Sequence, residues 1–316
     1  MDEMQAYDII GDTHGYADDL HSLLETLGYR DGSRLTAHPE GRKVIFLGDY
    51  VDRGPKIREV LETVRTMVDS GSALAILGNH EINAIRFHAK GSDGEFLRPH
   101  TEKNVRQHRA TLDQFRDVAE WKCWLDWFAG LPLGLDFGAL RAVHASWDDE
   151  AIAELSQIGR LEGATLEKYS AKETAEYATI SRIVNGPEAF LPAGYQHETV
   201  DGAMRHEFRV KWWMDIAGMT CREAIFPDDP TMPDLPPQNA PKTGYPTDAP
   251  PTFFGHYSRR GGTPAPIRPN LACIDYGPGK GGFLCAYRWD GEAEIAAEKF
   301  VVAGILGAFV TRRIKD

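Results

Sequence analysis

Three short apolar runs, AYDII (6–10), KVIFL (43–47) and ALAIL (73–77), each lead into a glycine and then into polar residues. Runs of this length bounded by glycine predict buried strands. Between them lie two stretches with helical spacing. The first carries Leu20, Leu23, Leu24 and Leu27, with Asp18 and Asp19 near its start and Gly28 as C-cap. The second has Ile57, Val60, Leu61, Val64, Met67 and Val68 on one face and stops at Gly71. The order is β-α-β-α-β, and right-handed crossovers make the three strands parallel. Ligands of an open α/β sheet gather outside the carboxyl ends of its strands. The same strand-then-polar arrangement recurs at ALRAV (139–143) before His144 and at TFFG (252–255) before His256. Distant segments are therefore expected to bring their polar tips to one rim.

The polar tips are GDTHG (11–15), GDYVDRG (48–54) and GNHE (78–81). A lone Gly-Asp turn carries little information. In this order, together with the two later histidines, the motifs supply a ligand set for two adjacent metal ions. Asp12 and His14 can turn toward one cation, with Gly11 and Gly15 letting the backbone bend. Asp49 can give one oxygen to each ion. Asn79, His144 and His256 supply neutral ligands to the second. Mixed imidazole and carboxylate ligation suits Mn²⁺, Fe or Zn²⁺ better than Ca²⁺ or Mg²⁺, and Mn²⁺ is the expected ion. Two such ions about 3.5–4 Å apart turn a bridging water into a hydroxide that attacks phosphorus directly, with no phosphoenzyme. His80 is placed to protonate the leaving oxygen, Asp52 to hold that imidazole, and Arg53 to clamp the phosphoryl oxygens.

These motifs resemble the signature of the calcineurin-like metallophosphoesterases, specifically the phosphoprotein phosphatase type, most closely over residues 8–81. VHAS (143–146) departs from the His-Gly-Gly of eukaryotic members. FFGHY (253–257) and the following CIDYG…GGFLCAYRW are similar to the bacterial branch, which includes symmetrical diadenosine tetraphosphatases and small protein phosphatases. The resemblance implies the same roles for Asp12, His14, Asp49, Asn79, His144, His256, His80, Asp52 and Arg53. It also implies a second phosphate-binding arginine between the last two histidines, for which Arg205 and Arg209 are the candidates and Arg209 the choice.

The expected architecture is an α/β (α+β) sandwich: two mixed sheets packed face to face, flanking helices and a helical, proline-rich cap. One catalytic domain spans 1–316, with insertions at about 82–130 and 148–250. In 82–130, Leu112, Phe115, Val118, Trp121, Leu125 and Phe128 keep near-helical spacing, and WKCWLDWF predicts a helix packed into the body. A helical stretch at 162–184 is expected to start the cap. Nine of nineteen prolines fall between 227 and 251, predicting a long loop that feeds into His256 and borders the site mouth. LACI (271–274), GGFLCAYRW (281–289) and EAEIAA (292–297) read as strands of the second sheet. FVVAGILGAFV (300–310) is too short for a membrane span and reads as a buried strand or short helix. His21, His38, His88, His100, His108, His197 and His206 read as ordinary surface residues, His21 facing solvent.

A formal net charge of −12 argues against non-specific binding to nucleic acid or an anionic membrane, and leaves a phosphorylated substrate open because cations reverse the local field. The N-terminus lacks a secretory pattern, and Cys123, Cys221, Cys273 and Cys285 form no CxxC pair, which predicts reduced thiols and a cytoplasmic location. The expected substrate is a phosphoprotein or a dinucleoside polyphosphate, hydrolysed at a phosphomonoester or phosphoanhydride bond. The long 148–250 insertion favours a small or extended substrate. Two alternatives are a catalytically silent phospho-ligand binder, against which the ligand set and general acid are complete, and a nucleic-acid phosphodiesterase, against which no basic groove is evident.

Overall fold

Residues 4–198 and 204–302 are described by a computed structural model. The three apolar runs form strands β1 (Tyr7–Ile10), β2 (Lys43–Phe46) and β3 (Ala73–Ala75), parallel to one another as the crossover rule requires. Helix α1 (Ala17–Leu27) ends on Gly28, whose φ of 95° lets it accept the left-handed cap, and α2 (Ile57–Asp69) follows β2.

The second sheet holds β4 (Gly134–Asp136), β5 (Arg141–Val143), β6 (Thr252–Phe254) and β7 (Leu271–Cys273). Their spatial order is β7-β6-β5-β4, and β5, β6 and β7 run parallel. The two sheets pack face to face through Ile9, Ile45, Ala142, Phe253 and Ala272. On the outer faces, Ile10, Val44, Phe46, Val143 and Phe254 join the core made with the helices. The period-two alternation of each strand thus serves two cores, giving the expected sandwich.

Two strand expectations need correction. CAYRW forms β8 (Cys285–Trp289), but it crosses back to the first sheet and pairs antiparallel with β1, Tyr7 opposite Trp289. There it covers the open edge of β1 and buries Tyr287 and Trp289 between the sheets. EAEIAA is no strand. Glu292 accepts hydrogen bonds from Tyr287 Oη, the Asp290 amide and Lys299 Nζ, so its polar positions organise a turn. Of FVVAGILGAFV, Phe300–Val302 forms β9 on the outer side of β8, and 303–310 lie outside the described residues.

The 82–130 stretch contains three helices, α3 (Asn79–His88), α4 (Glu102–Gln114) and α5 (Val118–Phe128). The apolar periodicity ran across a break at Asp117, whose carboxylate caps α5 by accepting from the amides of Ala119 and Glu120. Val118 is accordingly 83% exposed, while Trp121, Trp124 and Phe128 are buried. The 162–184 stretch divides into α6 (Gly163–Lys168) and α7 (Ala175–Asn185), the latter capped by Thr174. A small separate core of Ala189, Leu191, Phe208, Val210 and Ile225 follows. The proline-rich segment has no regular element apart from an isolated bridge of Gln238 to Phe190. Its last part does not border the site. Tyr245 Oη bonds Thr252 and Arg141 at the amino ends of β6 and β5, opposite the ends that carry His256 and His144. His21 is half-buried and joins α1 to α2, its Nε2 lying 2.9 Å from Thr63 Oγ1 in a shared hydrogen bond.

One polar residue lies inside an apolar run. Asp8 of β1 is fully buried and meets Arg42 Nη2 at 2.8 Å, Tyr29 Oη at 2.8 Å and Arg288 Nε at 3.2 Å. Removing the carboxylate leaves the buried Arg42 guanidinium without its main counter-charge, which costs about 3–5 kcal/mol. Asp8→Ala is therefore expected to lower the urea-unfolding free energy by about that amount. A loss below about 1 kcal/mol, the range of an exposed pair, would contradict the reading.

Candidate metal centre

Every motif lies at the carboxyl end of a strand: GDTHG after β1, GDYVDRG after β2, GNHE after β3, His144 after β5 and His256 after β6. The backbone there is forced. Among the described residues, seven non-glycine residues have positive φ, and five of them are His14, Asp49, Asp52, Arg53 and His256. Side chains rarely tolerate this region, and such strain concentrates where geometry serves a site. Close approach does the rest. A Cβ on Gly78 would lie 2.2 Å from Asp49 Oδ1, and one on Gly255 would lie 2.1 Å from Asp12 Oδ1.

Asp49 is central to the cluster. Its Oδ2 lies 3.5 Å from His14 Nε2, and its Oδ1 lies 3.4 Å from His144 Nε2. Ligating atoms of His14, Asp49 and His80 fall within 4.8 Å of one another, as do those of Asp49, His144 and His256. Asp12 adjoins the same group, accepting from the His256 amide at 3.2 Å through both oxygens. Asn79 Oδ1 faces His144 Nε2 at 3.1 Å. All six residues read as ligands in the sequence are thus brought together.

The donors are set for a cation. His14 Nδ1 is 2.9 Å from the Val51 carbonyl and His144 Nδ1 is 2.7 Å from that of Leu47. A carbonyl only accepts, so Nδ1 carries the proton and Nε2 presents its lone pair toward Asp49. Nε2 of His14 and of His256 are buried without a hydrogen-bond partner. Burial holds both imidazoles well below the ordinary histidine pKa, and the same cause lowers His144. Asp12 is pushed up by burial and by the charges of Asp275 and Asp49. Lone pairs and carboxylates facing one another at 3.1–3.5 Å repel unless positive charge lies among them. The residues fit divalent metal ions.

Beside this cluster, His80 Nδ1 meets Asp52 Oδ2 at 2.5 Å. Burial disfavours the charged ring, but Asp49 and the bond to Asp52 outweigh it and raise the His80 pKa above the usual range. The rim of His80 remains 15% exposed, and Arg53 Nη2 lies 3.4 Å from its Nε2. Asp52 does not pair with Arg53. Its other oxygen accepts from His108 Nδ1 at 2.7 Å and from Thr111 Oγ1 at 2.6 Å, both on the buried face of α4. Burial opposes ionisation of Asp52, yet these bonds hold its pKa far below the carboxylate range. Arg209 stacks over Tyr257 at 5.1 Å, and its charge helps depress His256. Arg205 is exposed on a two-residue strand paired with His197 and Glu198. Arg209 is therefore the candidate that reaches the site.

Several residues here carry no assigned role in the motifs. His108, taken for a surface histidine, is buried on Asp52, and no motif signals it because its partner is 56 positions away. Asp275 and Lys280 adjoin Arg53 electrostatically, and Gly279 packs on the Arg53 side chain. The CIDYG pattern, with an acidic residue two positions before a glycine and just beyond a strand, was the available clue. Glu81 closes GNHE and is fully buried; it accepts from the amides of Asp49, Tyr50, Val51 and Gly78 at 2.7–3.2 Å. Burial and the Asp49 charge push its pKa up to about 7.

Residues 7–189 match the model of the calcineurin-like phosphoesterase family. A bis(5′-nucleosyl)-tetraphosphatase PrpE, of the asymmetrical type, from Bacillus subtilis is 33% identical over 140 residues, 44% of this chain and 57% of that protein. Its counterpart from Geobacillus sp. (strain WCH70) is 42% identical over 140 residues, 44% of this chain and 56% of that protein. The chain thus spans about half the length of these curated relatives. A solved protein serine/threonine phosphatase from Saccharomyces cerevisiae aligns with a TM-score of 0.49 and 14% identity, covering 95% of this chain and 79% of that one.

Glu81 gives the prediction of this site. Glu81→Ala leaves four buried amides without their acceptor, each worth about 1–3 kcal/mol, so unfolding free energy is expected to drop by more than about 3 kcal/mol in urea titration. A loss under about 1 kcal/mol would show that the motif loop holds its shape without the carboxylate.

Proposed function

Since the chain belongs to the calcineurin-like phosphoesterases, metal-dependent hydrolases of phosphate bonds, we propose that it acts through two divalent ions and hydrolyses phosphoanhydrides of dinucleoside polyphosphates. The carrying observation is the pair of buried, partnerless Nε2 atoms of His14 and His256 around Asp49, whose two oxygens face different histidines. Asp12, His14 and Asp49 would hold the first ion, and Asp49, Asn79, His144 and His256 the second. Bound there, a pair of divalent cations, Mn²⁺ by preference, acidifies water and polarises the phosphoryl oxygen.

The chain's own residues do the remaining work. Asp49 fixes the spacing of the two ligand groups. Asp52 keeps the His80 ring oriented and protonated, so that its Nε2 edge can give a proton to the leaving oxygen. Arg53, exposed on the same rim, offers a planar fork of donors to phosphoryl oxygens, and Arg209 offers a second cation on the His256 side. The route we infer is direct attack by water, with no phosphoenzyme. The names of the curated relatives favour a dinucleoside polyphosphate over a phosphoprotein as substrate. All four cysteines are free, which supports the inference of a cytoplasmic location. Among the described residues no helix is long and apolar enough to cross a membrane. We also infer one catalytic domain carrying the two insertions, with the 148–250 segment as its cap.

Purified protein with Mn²⁺, given diadenosine tetraphosphate and a phosphoserine peptide in parallel, tests the reading. Turnover of the nucleotide with a higher kcat/KM is expected, and inertness toward it with turnover of the peptide would overturn the substrate assignment. Asp49→Asn is expected to lower bound metal and abolish turnover. His80→Asn should keep the metal and lower kcat by about 10²–10⁴, most for poor leaving groups. Equal losses for p-nitrophenyl phosphate and an alkyl phosphate would rule out proton donation by His80.

A further inference from the structure

A cleft of about 570 Å³ opens directly beside His80 and Arg53. Its opposite wall is the outer face of α4, which contributes Arg106, Gln107, Arg109, Ala110 and Asp113. Arg106, Arg109 and Asp113 stand at i, i+3 and i+7, so one helix face presents them together. The buried face of the same helix carries His108 and Thr111, both bonded to Asp52. The backbone positions of the arginines are therefore set relative to the His80–Asp52 pair by a helix anchored on that pair.

Two facts distinguish this wall from an ordinary solvated helix face. Arg106 and Arg109 are exposed, and among the described residues neither has a hydrogen-bond or ion-pair partner, although Asp113 lies one turn from Arg109. The lining holds three arginines against a single aspartate, in a chain whose formal net charge is −12. Unpaired guanidinium groups converging on a concave surface that also contains the proton donor form a ready receptor for anionic oxygens.

We propose that Arg106 and Arg109 form a second anion subsite, which binds the phosphates lying beyond the reacting one in an extended polyphosphate chain. Arg53 takes the phosphoryl group at the metal centre, and the leaving side of the substrate runs past His80 along α4. The two arginines, whose backbone positions differ by about 4.5 Å in rise along the helix, engage successive phosphates of that chain. The subsite gives preference to a nucleotide polyphosphate over an isolated phosphomonoester, and it rests on the reading of the centre as a site for phosphoanhydrides.

The test compares the affinity of Mn²⁺-loaded protein for the methylene-bridged, non-hydrolysable analogue of diadenosine tetraphosphate with its affinity for adenosine monophosphate, both by titration calorimetry. In R106A/R109A the ratio of the two affinities is expected to fall at least tenfold. In R106K/R109K, which keeps the charge and loses the planar fork, it should fall less than half as far on a logarithmic scale. A ratio unchanged in the alanine pair would overturn the subsite, as would equal falls in the alanine and lysine pairs. An acidic phosphopeptide losing more affinity than the analogue would overturn the assigned substrate class. Hydrolysis by the wild-type protein is read separately. Arginine-dependent binding without turnover of diadenosine tetraphosphate would remove the hydrolytic reading and leave the subsite standing.

Discussion

A buried carboxylate with one oxygen turned toward His14 and the other toward His144 is the constraint around which this molecule is arranged. Such a group is costly to bury unless positive charge or donors surround it. The chain supplies some of these directly: the His80 amide donates to Asp49 Oδ1 at 3.0 Å, and Glu81 fixes the Asp49 loop through four amides. The histidines facing Asp49 present lone pairs instead of protons. That arrangement makes sense for a site whose positive charge is to come from bound divalent ions, which is the account proposed for its function.

The fold makes this arrangement possible by ending five strands from two sheets on one rim. Parallel pairing of β1 with β2 and β3, and of β5 with β6 and β7, aligns their carboxyl ends. The apolar faces between the sheets fix the two rims relative to each other. Rigidity at the rim is reinforced at a second level, since His80, Asp52, His108 and Thr111 form a bonded row from the metal cluster to α4. One helix thus orients the proton donor through its buried face and lines the cleft through its exposed one.

Much of this was legible in the sequence because it is local. The glycine-bounded runs named β1, β2 and β3, and the three motifs together with His144 and His256 named every residue of the central cluster. What escaped is long-range. Nothing near His108 announces that it faces Asp52, and Asp8 sits inside an apolar run while its partners Arg42 and Arg288 are distant in sequence. Strand pairing escaped for the same reason: CAYRW has the pattern of a buried strand, but pattern cannot say that the exposed edge of β1 is its partner. The helix break at Asp117 was hidden because apolar spacing continued across it, and a capping carboxylate outweighed periodicity. Arg209 was preferred to Arg205 in the sequence, and the fold separates them physically, leaving Arg209 beside Tyr257 and Arg205 exposed.

The central claim is the pairing of cations about Asp49, and anomalous diffraction from crystals grown with Mn²⁺ tests it most directly. The account predicts two peaks about 3.5–4 Å apart, one on each side of the Asp49 carboxylate, with His14 at one and His144 and His256 at the other. A single peak, or metal bound away from Asp49 with both its oxygens facing only protein donors, would contradict it.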